Sequence, residues 1–242
     1  MSSSRGSTRR TKSTAANRLS TKPRKSSAYN DDFGQHLIDH GVYPEAYEHP
    51  ESRNSPEPAN SIQMRQELLT SRASLSPSAL TESVFRDFKR KNKTKPEGIV
   101  MPNGSTDFFD GARASKVQDR VRHALDKLII PTRHANSPVV PNFFLEVKSP
   151  DGGALVAQHQ ACYDGAHGAR AIHALQNYEE TEPIFDGNAY TYSSTYHSGT
   201  GTLQLYAHHI TAPTTADEQP EYHMTQIDGW QMTGNINCFS ER

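Results

Sequence analysis

Between Pro141 and Pro150 lies Phe143-Phe144-Leu145-Glu146-Val147-Lys148, a run whose apolar density and β-forming residues suit a buried strand. Two charges interrupt it at its end. After the turn Asp151-Gly152-Gly153, a helical stretch runs from about Ala154 to Tyr178 and includes Ala157, Ala161, Gly165, Gly168, Ala169 and Ala171. So many small residues weaken an isolated helix, and the usual compensation is close packing of its backbone on a neighbouring element. The helix should therefore be central.

Either side of this unit the elements are shorter. Ala189 to His197 and Thr202 to Ile210, joined by Ser198-Gly199-Thr200-Gly201, predict a β-hairpin. Tyr222 to Met232 is expected as a short closing helix holding the only tryptophan, Trp230. Upstream, Val117, Val121, Leu125 and Leu128 recur at helical spacing between Ser115 and Pro131 and predict the most regular helix of the chain. Ser76-Pro77 opens another, with Leu80, Val84, Phe85 and Phe88 on one face as far as about Lys91. Ile99-Val100-Met101 and Thr106-Asp107-Phe108-Phe109 are expected as two short strands about the turn Pro102-Asn103-Gly104. Phe33 to Ile38 is a short amphipathic piece, Pro44 to Pro58 reads as extended, and Ser61 to Ser71 as a short helix.

Composition limits how much of the chain folds. Apolar residues are 33% of the 242, against a usual share of roughly 45–50% counted with Gly. The start is poorer still. Met1 to Asn30 carries eight basic residues and no acidic one, which leaves 18 basic against 27 acidic residues beyond it. A +8 arm thus precedes a −9 body. Such a Ser-rich basic arm cannot offset its chain entropy by burying apolar surface, and it is expected to be disordered. Its runs Arg9-Arg10-Thr11-Lys12 and Lys22-Pro23-Arg24-Lys25 suit nuclear import or phosphate contact, or simply a solvated tail. No apolar run approaches the roughly 20 residues that a bilayer requires, so no membrane partner is expected. The start lacks the apolar stretch of a secretory signal. The chain is therefore expected inside the cell, in the nucleus rather than the cytoplasm if the basic runs are import signals. Cys162 and Cys238, the only cysteines, are too few for a disulfide scaffold or a cysteine-based zinc site.

The candidate chemistry lies in Glu146-Val147-Lys148. Residues two apart on a strand share a face, so a carboxylate and an ammonium stand side by side on a buried element. Charges placed there cost free energy unless they pair or bind something. A structural ion pair is the plain alternative. Metal-dependent nucleases use this pairing, the carboxylate holding Mg²⁺ and the lysine orienting water or stabilising charge on phosphorus. A second carboxylate is then needed, with Asp107 the first candidate and Asp110 the fallback. Other constellations are weaker: His159, His167 and His173 lack the helical spacing of a metal site, and His208-His209 alternate faces of a strand. Tyr190, Tyr192, Tyr196 and Tyr206 suit core packing better than base stacking.

Several blocks occurring in order, Gln35-His36-Leu37-Ile38-Asp39-His40-Gly41-Val42-Tyr43-Pro44, Ser74-Leu75-Ser76-Pro77-Ser78, Asn142 to Gly152, Gln160 to Arg170, Gly187-Asn188-Ala189-Tyr190 and Glu221-Tyr222-His223-Met224-Thr225, resemble a large family of fungal proteins assigned to the PD-(D/E)XK nuclease-like superfamily. The resemblance covers roughly Tyr29 to Phe239. It implies an α/β (α+β) fold with a central mixed sheet flanked by helices, organised as a basic tail over 1–28, an extended arm over 29–75 and a nuclease-like domain over 76–242. It also implies that Asp107 and Glu146 hold Mg²⁺, that Lys148 positions the attacking water, that Gln160 orients the site, and that DNA or RNA is the partner. The chain departs from the family pattern in having Thr106 before Asp107 where a proline is usual. It also looks shortened before the Asp block and after Phe239, so two outcomes stand open: a metal-dependent nuclease, or a degenerate descendant that keeps the fold as a non-catalytic interaction or scaffold protein.

Overall fold

The computed structural model describes residues 27–50, 53–70, 81–92, 108–132, 137–215 and 218–235. The tail up to residue 26, the Ser76-Pro77 start signal, Ile99 to Asp107 and Cys238 lie outside these residues. In chain order the elements are α1 (Phe33–Asp39), β1 (Val42–Tyr43), α2 (Ser61–Leu68), α3 (Glu82–Asn92), β2 (Phe108–Ala112), a 3-10 turn (Ala114–Lys116), α4 (Asp119–Ala124), α5 (Asp126–Ile129), β3 (Val139–Lys148), α6 (Ala154–Gln176), β4 (Thr191–His197), β5 (Thr202–Thr211) and β6 (Glu221–Gln231).

The strands form one six-stranded mixed sheet in the order β1-β6-β5-β4-β3-β2. β3 runs parallel to β4 from Phe143 opposite Tyr192 to Lys148 opposite His197. Parallel neighbours cannot be joined by a tight turn, so the chain crosses between them through α6. β2–β3, β4–β5 and β5–β6 are antiparallel, and β1 adds a parallel edge on β6. The segment 29–75 therefore carries α1 and α2 and supplies one edge of the sheet.

Helices cover both faces. On one, α1 and α6 enclose Phe33, Leu37, Ala161, Cys162, Tyr206 and Met224, with Ala28 and Val42 packed against them. On the other, Met64 and Leu68 of α2 meet Ala189, Ala207 and Ile227, and Phe88 of α3 lies 6.3 Å from the ring of Tyr196. The small residues of α6 do what their composition predicts. A Cβ at Gly165 would run into the imidazole of His208, and one at Gly168 would sit 2.6 Å from Thr191 Cγ2 and 2.8 Å from the Phe144 ring. Only glycine lets the helix backbone approach the sheet this closely.

Two expectations are corrected. Tyr222 to Met232 is the long strand β6 and not a closing helix: it pairs with β5 from Thr211 opposite Glu221 to Thr202 opposite Gln231. Where Tyr206 faces Gln226 and Leu205 faces Asp228, the register slips and Ile227 is the extra residue. That slip interrupts the two-residue period, so Met224, Ile227 and Trp230 recur every third position and imitate a helix. The stretch Ser115 to Pro131 is broken into a 3-10 turn and two short helices, because Val117 is extended and Leu125 leaves helical geometry. Its apolar residues still share a destination: Val117, Leu125 and the fully buried Ile129 pack with Val139, Val140 and Ala171.

Candidate functional site

Alternation along β3 sends Phe144, Glu146 and Lys148 to the α6 face. The Phe144 ring reaches Gly168 of α6, and Lys148 Cβ reaches Gly152 just before that helix. Glu146 and Lys148 are 1% and 2% exposed, with Glu146 Oε2 3.8 Å from Lys148 Nζ. This is longer than the roughly 2.7–2.9 Å of a tight charge-assisted hydrogen bond. Two charges are thus held side by side in the interior without being locked together.

Their setting is polar. Glu146 is paired with Thr195 on β4, whose Oγ1 donates to Gln204 Oε1 at 3.3 Å. Gln204 Nε2 in turn donates to Gln226 Oε1 at 3.3 Å. A row of polar side chains therefore runs across the sheet from β3 to β6. Beneath α6, Gln158 Nε2 donates to the hydroxyl of the fully buried Tyr206 at 3.3 Å, and desolvation holds that phenol above its ordinary pKa. Ser193 Oγ lies 2.7 Å from His208 Nε2, and burial drives His208 down to about 3. Those neighbours escaped the sequence reading, which assigned the hairpin to core packing. The available signal was polar residues at every second position, Thr191-Ser193-Thr195 and Gln204-Tyr206-His208, on the face that also holds Glu146.

Gln160 stands on α6, half-buried and next to the fully buried Ala161, with its Oε1 buried. Asp107 lies outside the described residues; it is the residue before Phe108, whose partner across the sheet is Leu145. The fallback Asp110 is on the wrong face: it pairs with Phe143 and is exposed, its Oδ1 accepting the N–H of Gly111 at 2.7 Å. Among the described residues, no group of three or more His, Cys, Asp or Glu side chains gathers as a metal site. His208 and His209 do point to opposite faces, His209 stacking on His223 at 5.1 Å.

The donor chemistry at Glu146 fits a hard cation, since Mg²⁺ is usually held by one or two carboxylates with water completing the shell. Glu146 supplies one such carboxylate, and Asp107, the sequence candidate for the second, lies outside the described residues. Cys162 offers no alternative, because desolvation pushes its buried thiol up to about 12. No described helix is long and apolar enough to cross a membrane. No model of a known protein family matches the chain, and no curated protein matches it.

Proposed function

We propose that the protein hydrolyses phosphodiester bonds of DNA or RNA with a divalent cation, as a PD-(D/E)XK nuclease-like protein. The observation that carries this reading is the Glu146–Lys148 pair, held side by side on one face of a buried strand within the β3–α6–β4 crossover. Asp107 and Glu146 would hold Mg²⁺, which when bound supplies Lewis-acid stabilisation of charge on the phosphate. Lys148 would face the reacting phosphate and orient the attacking water. Gln160, on the helix above, orients the site without taking up a proton. The −9 body repels a polyanion, so substrate approach would rely on local basic charge, from the cluster Lys89 to Lys95 or from the basic tail.

One observation favours a second reading, a non-catalytic scaffold with the nuclease fold: both charged side chains are almost fully buried. Purified full-length protein incubated with DNA and RNA, with and without Mg²⁺ or Mn²⁺, separates the two. The nuclease reading expects metal-dependent cleavage that Lys148→Ala and Asp107→Asn abolish. Absence of cleavage, with a melting temperature indifferent to both metals, would leave the scaffold.

A further inference from the structure

A cavity of about 920 Å³ opens where α1 and α6 meet the β1 edge of the sheet, a size within the usual range of small-molecule sites. Glu146, Lys148 and Gln160 are not among its lining residues, so this inference does not rest on the proposed hydrolysis. The cavity bends round the sheet edge. Val42 and Met224, the latter two residues from Tyr222, pack with Ala161 and Cys162 and place Tyr222 on the α6 face. Glu221 and Tyr43 alternate to the opposite face, where Tyr43 stacks on His223.

The α6 side has its own chemistry. Tyr163, Ala166, His167 and Arg170 line it from α6, spaced by three and four residues so that they share one face of the helix. Arg170 donates through Nη2 to His167 Nδ1 at 3.0 Å; that nitrogen is therefore an acceptor, and the imidazole carries its proton on Nε2. Burial, then the Arg170 charge, keeps His167 below its ordinary pKa, in keeping with this neutral form. The same guanidinium acts on the nearby Tyr222 phenol, which burial raises and the Arg170 charge lowers. Among the described residues, Arg170 meets no carboxylate, and neither His167 Nε2 nor the Tyr222 hydroxyl has a hydrogen-bond partner.

Three carboxylates also line the cavity, and each is met by a donor of the protein. Arg53 donates to both oxygens of Glu221 at 2.8 and 2.9 Å, Gln35 Nε2 to Asp39 Oδ1 at 2.8 Å, and the Thr215 N–H to Glu218 Oε2 at 3.1 Å. Of the two arginines in the wall, Arg170 is thus the one without a carboxylate. Aromatic surface flanks it: Tyr163, 43% exposed, on α6, and the His36 and His40 rings, 4.4 Å apart, on α1.

We propose that the α6 side of this cavity binds a nucleoside monophosphate, with Arg170, His167 Nε2 and the Tyr222 hydroxyl on the phosphate and the base against Tyr163 and the α1 imidazoles. The guanidinium fork matches phosphate oxygens, and a base is a flat ring that aromatic side chains hold by stacking.

The test is isothermal titration calorimetry of the full chain with AMP, GMP, CMP and UMP, with adenosine and with inorganic phosphate, in EDTA so that no metal-held phosphate at Glu146 contributes. At least one nucleotide is expected to bind more tightly than about 1 mM, and adenosine and phosphate each more weakly than the nucleotide by about tenfold or more. Arg170→Ala, a change at an exposed position, should weaken the nucleotide about tenfold or more, the weight of a hydrogen bond to a charged group. Arg170→Lys should restore only part of that loss, and Tyr163→Leu should weaken binding about fivefold through lost stacking. No nucleotide binding within the stated limit would overturn the proposal, as would an Arg170→Ala protein that binds as wild type does. Adenosine binding as tightly as AMP would remove the phosphate contact, and inorganic phosphate binding as tightly would remove the base; either result refutes a nucleotide site.

Discussion

Acid should unfold this protein through three histidines that the sheet keeps neutral. His208, His209 and His223 are each 2% exposed. Burial is the leading cause in all three, driving His208 and His223 down to about 3 and His209 to about 4, with neighbouring imidazoles adding to the effect at His208 and His223 and Arg53 at His223. A depressed histidine stabilises the fold above its unfolded pKa of about 6.5 and loses that contribution as the pH falls, because only the unfolded chain takes the proton. Each such site costs about 1.4 kcal/mol per pH unit, so three together give a slope of about 4 kcal/mol per unit. At pH 5 the loss is about 6 kcal/mol, comparable with the whole stability of a typical domain, about 5–15 kcal/mol. Urea titrations at pH 7, 6, 5.5 and 5, followed by circular dichroism, measure the slope directly. His209→Phe is the informative variant, since both nitrogens of His209 lack a hydrogen-bond partner among the described residues and its stacking on His223 can be kept. It should lower the slope by about a third and raise stability at pH 5. A stability that changes by less than about 1 kcal/mol between pH 7 and 5, or a slope untouched by His209→Phe, would refute the reasoning.

Other consequences are as direct. Lys148→Ala should destabilise by about 3–5 kcal/mol, as expected when one charge of a buried pair is removed, whereas a loss below about 1 kcal/mol in denaturant melts would mean that Glu146 is not held as a buried anion. Gly165→Ala should destabilise by about 1–3 kcal/mol despite the better helix propensity of alanine, because its methyl group meets the His208 ring; a neutral or stabilising result would contradict that packing. In a Cys238→Ser background, Cys162 should ignore a thiol reagent in the native state and react only on unfolding, as its burial and raised pKa require.

Sequence pattern located what local chemistry controls. The apolar run ending in Glu146 and Lys148 became β3, the small-residue stretch became α6 within two residues of its expected end, and the Ser198 to Gly201 turn joined β4 to β5. In each case the signal sits inside the element itself. It failed where partners decide. β6 is fixed by pairing with β5, and the extra residue at Ile227 erased the alternation that would have betrayed it. At the candidate site, the acid–base pair was visible because two charges ended an apolar strand. The approach of the Tyr29 ring to Lys148 was not, since the two are more than a hundred residues apart in the chain, a contact that no local window contains.

The sheet's outer margins are unequal to its interior. Among the described residues, β1, only two residues long, is the strand that pairs with the far side of β6, an eleven-residue strand. An unpaired strand of that length presents a template to which a strand of another molecule can add. Val42 and Tyr43 therefore act as a guard rail against self-association. A protein lacking residues 1–60 should lose that guard, dimerise or polymerise through β6, and sediment as larger species, while the full chain stays apart at the same concentration.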